Sequence, residues 1–168
     1  TQDIAAGFAE PAWSPDGGTI LAVSANVQLR PPGIYAVNPD GSSIRLVVSG
    51  DTDVVRTPSW SPDGSRIAFS RGALGRLFIY TARPDGSDVR RLTFPDSTSG
   101  GFTDLKPVWS PDASWIAFSR EHVVCKSLCE TRYDIFTVRV GQLGAGIGPL
   151  ALRNLTGDEV WGGAFPSW

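Results

Sequence analysis

No stretch of this chain approaches the run of about 18 to 20 apolar residues that a membrane helix needs. Its first residues, TQDIAAGF, have neither the basic nor the apolar part of a secretory leader. Membrane insertion is therefore not expected. An excess of charge of one sign is missing too, since 15 Lys and Arg stand against 17 Asp and Glu, a net of −2. Without a basic surplus, nucleic acid is not an expected partner. Histidine occurs once, at His122, and no G-x-S-x-G elbow is present. A Ser-His-Asp hydrolase has little to build on, and no catalytic residue is assigned.

Cysteine is scarce as well. Cys125 and Cys129 lie four apart in a hydrophilic stretch, EHVVCKSLCETRYD at 121–134. An oxidising compartment would let them bond and a cytosol would not. A small disulfide loop is the first reading and free thiols the second. Zinc shared with His122 and Glu130 or Asp134 comes last, because the spacing matches no zinc pattern.

What the chain has in plenty is Gly and Pro, 19 and 13, set among Val, Ile, Leu, Phe and Trp. That composition reads as strands and turns. One phrase recurs: PAWSPDG at 11–17, PSWSPDG at 58–64, PVWSPDA at 107–113, and PSW at 166–168. Its tryptophans, Trp13, Trp60, Trp109 and Trp168, are spaced by 47, 49 and 59 residues. Behind each phrase come three apolar runs: the first at 19–24, 66–70 and 115–120, the second at 33–38, 77–82 and 134–138, the third at 44–48, 89–94 and 152–156. With the short Pro-x-Trp strand this gives four strands per unit.

Ser-Pro-Asp-Gly is turn chemistry. Pro62 sets φ, Asp63 tolerates the third position and Gly64 takes the positive φ that closes the turn. The phrase is therefore the hairpin between strands one and two, while NPDG at 38–41 and RPDG at 83–86 join strands three and four. Ala113 replaces Gly in the third copy, which predicts strain or another turn type there.

Four-stranded antiparallel units at a period of about 40 to 50 residues mark the blades of a β-propeller. The reading is an all-β chain, a single propeller segment over 1–168. Blade 1 covers about 11–57, blade 2 about 58–106 and blade 3 about 107–165, with 166–168 opening a further repeat. The four tryptophans are structural in this picture and pack between neighbouring blades.

The series P-x-W-S-P-D-G, I-A-F-S, I-Y or I-F, D-G and R-x-L-T resembles the TolB-type, WD-like propeller repeat over essentially the whole chain. The resemblance implies a six-bladed ring, a periplasmic or extracellular place in the bacterial cell envelope, and a non-enzymatic protein-interaction or scaffolding role. Related blades accompany serine-peptidase domains and polysaccharide lyases. The alternative is thus the substrate-gating propeller of a larger secreted hydrolase or lyase, and carbohydrate binding through loop aromatics is a third reading.

Three blades make half of a six-bladed ring and leave a flank uncovered at each end. The leading segment TQDIAAGFAEP at 1–11 and the closing TGDEVWGGAFP at 156–166 have equal length, so the chain ends in the register at which it began. We expect either a piece of a longer propeller, in keeping with Thr rather than Met at position 1, or two copies completing the ring about a twofold axis.

The tight turns share one face of such a disc and the longer connections share the other. Those connections are 49–57, 95–106 and 157–165 between blades, and 25–32, 71–76 and 121–133 within them. Binding is expected on that loop face, at Asp51, Asp53, Arg56, Asp96, Phe102, Asp104, Asp158, Glu159 and Trp161. A ring of carboxylates could hold Ca²⁺, with Asp51, Asp53 and Asp104 as candidates. The plainer reading is solvated loop residues, and no cofactor is expected. Phe8, Phe94, Phe102, Trp161 and Phe165 offer an apolar patch. The expected partner is a protein or a second copy of the chain.

Overall fold

The computed structural model describes residues 7–24, 31–95, 102–125, 129–141 and 152–156. They form three sheets of four antiparallel strands, one per repeat. β1 (Phe8–Trp13), β2 (Ile20–Ser24), β3 (Gly33–Val37) and β4 (Ile44–Ser49) pair in chain order, as do β5 (Val54–Trp60), β6 (Ile67–Ala73), β7 (Arg76–Ala82) and β8 (Arg90–Arg91). The third sheet repeats the order with β9 (Phe102–Trp109), β10 (Trp115–Cys125), β11 (Cys129–Arg139) and β12 (Arg153–Asn154). These are the blades of a propeller.

The repeated phrase folds alike each time. The N–H of Gly17, Gly64 and Ala113 donates to the carbonyl of Ser14, Ser61 and Ser110 at 3.0, 2.9 and 2.9 Å. All three closing residues are left-handed, at φ +70°, +69° and +56°. Ala113 therefore keeps the glycine turn and carries the steric cost that glycine avoids. The serine and aspartate brace the corner from inside. Ser14 Oγ donates to Asp16 Oδ1 at 2.6 Å and accepts the N–H of Thr19 at 2.9 Å. Ser61 and Ser110 do the same with Asp63 and Arg66, and with Asp112 and Trp115. Such bonds favour the ionised carboxylate. They hold Asp16 and Asp63 below the usual range, and those from Ser110 and Ser114 bring Asp112 to about 2.

A second device sits just before each tryptophan, where the first strand of each blade breaks register with the second. The residue ahead of the proline, Glu10, Thr57 or Lys106, is left-handed at φ 55°, 50° and 55°. Such a bulge re-aims a side chain, and here it reaches the neighbouring blade. The Thr57 N–H donates to Glu10 Oε2 at 2.6 Å, and the Lys106 N–H donates to Thr57 Oγ1 at 3.2 Å. One sequence position thus stitches blade 1 to blade 2 and blade 2 to blade 3.

The cores lie between sheets. Leu21, Val23 and Ile34 of blade 1 meet Trp60, Ile67 and Phe69 of blade 2. Ala68, Ile79 and Leu92 of blade 2 meet Trp109, Ile116 and Phe118 of blade 3. The indole N–H of Trp60 donates to the Ala12 carbonyl across the first seam at 3.1 Å. Gly86, in the β7–β8 turn, lies so near Val47 that a Cβ would fall 2.2 Å from the Val47 carbonyl oxygen. Trp13 holds the equivalent place on blade 1, with no sheet against it among the described residues, and is 58 % exposed. Phe8, Pro11, Ile20 and Val37 line an apolar groove of about 320 Å³ on the same blade.

The strands run further than the spacing predicts. Residues 54–57 belong to β5 and 102–106 to β9, while 121–125 and 129–133 extend β10 and β11. The insert expected as a loop at 121–133 is an elongated hairpin, and the alternation of EHVV with the facing ETRY suits a ladder.

Candidate functional site

The seam between blades 1 and 2 opens on the loop face as a cleft of about 1150 Å³. Asp51 and Asp53, from the β4–β5 connection, share its lining with Arg56 of β5. These three residues, expected on one loop face, share the lining of one cleft. Asp53 takes the guanidinium of Arg71 at 2.8 Å, an ion pair still in contact with solvent, while Asp51 and Arg56 are exposed. Phe8 supplies an apolar wall, held edge-on against Tyr35 at 5.5 Å. Leu74, at the tip of the β6–β7 hairpin, completes the rim and is 85 % exposed. Exposed charge of both signs and an uncovered leucine thus meet at one opening.

Two other expected site residues lie elsewhere. Asp104 and Phe102 are on β9, buried in the seam between blades 2 and 3 rather than on a loop. Arg120 grips Asp104 through Nε at 2.7 Å and Nη2 at 2.9 Å, and its guanidinium lies over the Phe102 ring at 3.8 Å. Phe102 in turn stands edge-on to Phe78 at 5.6 Å, and the Arg91 guanidinium lies over the Phe78 ring at 3.5 Å. Calcium could not use Asp104 without displacing Arg120, and the three candidate carboxylates do not converge. Among the described residues no three His, Cys, Asp or Glu side chains group as metal ligands. Asp96, Asp158, Glu159, Trp161, Phe165 and Trp168 lie outside the described residues.

Both arginines follow their blade's tryptophan by eleven residues, Arg71 after Trp60 and Arg120 after Trp109, in the repeated I-A-F-S-R. The acids that answer them come from different positions, so one seam is sealed and the other stays open to water. A family model described as the TolB beta propeller domain matches residues 3–139. This chain belongs to the TolB β-propeller family.

The TolB-family chain is 43 % identical over 60 residues to the Tol-Pal system protein TolB of Alcanivorax borkumensis, covering 36 % of this chain and 13 % of that protein. It is 35 % identical over 60 residues to Dipeptidyl-peptidase 5 of Porphyromonas endodontalis, covering 36 % and 8 %. A solved structure assigned to TolB from Agrobacterium tumefaciens superposes with a TM-score of 0.61 at 24 % identity, over 79 % of this chain and 46 % of that one. That likeness is one of fold. The chain spans less than half the length of each of these proteins.

Three contributors to the TolB-family chain's loop face escape sequence reasoning. Glu10 lies in the segment that the spacing leaves ahead of the first strand, although β1 begins at Phe8. Leu74 sits in a two-residue turn, Leu74-Gly75, whose tip carries no polar residue. Arg71 is visible only once its repeat in Arg120 is noticed. The lone His122 sets Nδ1 3.8 Å from Asp134, whose other oxygen accepts the Thr156 hydroxyl at 3.1 Å. The backbone register puts Cys125 directly opposite Cys129.

Proposed function

We propose that this TolB-family chain is a non-catalytic interaction module of the bacterial cell envelope, and that the loop-face cleft between blades 1 and 2 receives a segment of a partner protein. The observation that carries this reading is the joining of Asp51, Asp53 and Arg56 with the uncovered Leu74 at one opening. The ring is completed by a second copy or by further sequence, and the bare flank around Trp13 supports that. Cys125 and Cys129, opposite each other in the ladder, form a disulfide in the oxidising compartment that this role implies. A photo-reactive residue at Leu74 should crosslink to an envelope protein in cells, whereas one at Gly41, in a turn on the opposite face, should not. Equal crosslinking from both positions would sink the cleft as the site.

A second reading, the propeller part of a larger hydrolase, draws on the likeness to Dipeptidyl-peptidase 5. In that case the cleft gates a substrate, and Leu74→Glu should alter the size of peptide cleaved by the full-length protein rather than the capture of a stable partner.

A further inference from the structure

The two seams use the same positions but not the same residues. Ala12↔Leu21 and Trp13↔Ile20 of blade 1 recur as Ser59↔Ala68 and Trp60↔Ile67 in blade 2, and as Val108↔Ala117 and Trp109↔Ile116 in blade 3. Each tryptophan therefore meets one fixed pair of positions on the blade before it. For Trp60 these are Ala12 and Leu21, which share its core cluster. For Trp109 they are Ser59 and Ala68, and Ala68 shares its cluster. From the first seam to the second, the isobutyl group of Leu21 shrinks to the methyl of Ala68, while the methyl of Ala12 gains the hydroxyl of Ser59. The wall beside the indole becomes smaller and more polar. Val138 in place of Ala82 adds bulk, but on β11, two strands out from Trp109.

The indoles differ accordingly. Trp60 Nε1 donates to the Ala12 carbonyl at 3.1 Å. Trp109 is only 5 % exposed, yet its Nε1 finds no partner among the described residues, and the Ser59 hydroxyl is likewise buried without one. Both groups belong to one seam. The Lys106 N–H on Thr57 Oγ1 sets β9 against β5 in the offset that the Thr57 N–H on Glu10 gives β5 against β1, which carries Trp109 to Ser59 as it carries Trp60 to Ala12. A buried donor left unpaired is costly, and native structures pair such groups with protein or with ordered water.

We propose that the seam between blades 2 and 3 binds one buried water molecule, which accepts the Trp109 indole N–H and donates to Ser59 Oγ. It replaces the direct bond that Trp60 makes to the Ala12 carbonyl, and the first seam, with leucine beside its indole, closes without one. The chemistry of the two groups fits: an indole only donates, whereas a hydroxyl donates and accepts. Both are uncharged, which suits a neutral molecule of this size rather than an ion. Room is supplied by the leucine-to-alanine change, since an isobutyl group exceeds a methyl by more than the ~30 Å³ that a water molecule occupies in the liquid. The buried Asp104 and Arg120 pair closes the same seam to solvent, so the water exchanges slowly.

The test is water-selective NMR of the full chain with ¹⁵N-labelled tryptophan, the Trp109 indole signal being assigned by its loss in Trp109→Phe. The Trp109 indole proton should show a cross-peak to water with the sign of a long-lived contact rather than of proton exchange. Ala68→Leu, which restores the residue of the first seam, should abolish that cross-peak. The reciprocal pair Ala12→Ser with Leu21→Ala should create one at Trp60. No water contact at Trp109 in the wild type, or a contact that Ala68→Leu leaves unchanged, would overturn the proposal. Should the variants fail to fold, a high-resolution crystal structure of the wild type decides by itself. A water within about 3 Å of both Trp109 Nε1 and Ser59 Oγ supports the site; an indole bonded directly to a protein group, or a dry seam, refutes it.

Discussion

Asp104 and Arg120 meet in a two-pronged ion pair with the carboxylate wholly out of solvent. Burial pushes the Asp104 carboxyl above its usual range, and Arg120 pulls against that. Arg120→Met would leave a buried carboxylate without its partner and should cost about 3–5 kcal/mol in urea unfolding. Arg120→Met combined with Asp104→Leu should cost less than the single change. The single variant should also gain stability as the pH falls from 7 into the carboxylate range. There its folded state holds a proton more tightly than the unfolded chain does.

Glu10→Ala strips the acceptor from the Thr57 N–H at the first seam. A part-buried amide left unpaired costs about 1–3 kcal/mol, and Glu10→Gln, which keeps an acceptor, should lose less. Hydrogen exchange at the Thr57 amide reads this directly, and should quicken in the alanine variant far more than at Gly64 in the neighbouring turn.

The corner aspartates make stability depend on acid pH. Because their folded values lie below their unfolded ones, they contribute stability that is fully present above the ordinary carboxylate range. It is lost as the pH falls through the folded values, about 2 for Asp112. Carboxyl-carbon NMR should show Asp112 titrating near that value. Ser110→Ala removes the strongest of the bonds responsible and should move the midpoint up toward an ordinary aspartate.

Ala113→Gly should stabilise the chain by about 0.5 kcal/mol, the relief of a left-handed alanine outweighing the entropy that glycine adds to the unfolded state. Gly64→Ala, the reverse change in blade 2, should destabilise by about 1 kcal/mol. Thermal melts of the pair check both signs.

The architecture was legible because the turn phrase and the tryptophan repeat together, and each copy of Ser-Pro-Asp-Gly has the same local solution. The four strands of each blade follow from that punctuation with small errors at the ends. The site was harder to read. Asp53 and Asp104 look alike in sequence, two carboxylates ahead of a Pro-x-Trp, yet they sit at different distances from it. A difference of two residues keeps both on one face of a pleated strand; what separates them is that Asp53 stands ahead of β5 in the connection, whereas Asp104 lies inside β9 and is buried. Arg120 settles the matter for Asp104, and it comes from another strand sixteen residues later. Phe102 is lost from the loop face for the same reason. Glu10 and Thr57 act across seams, so their role depends on a partner about 47 residues away that no local pattern reports.

Trp13, Trp60 and Trp109 occupy one position in three blades, yet only Trp13 is uncovered. An indole moved from water into an apolar seam emits at shorter wavelength, so the chain carries its own optical gauge of whether blade 1 has a neighbour. A difference spectrum between the wild type and Trp13→Phe isolates that signal, and a blue shift with rising protein concentration would report closure of the flank without any added label.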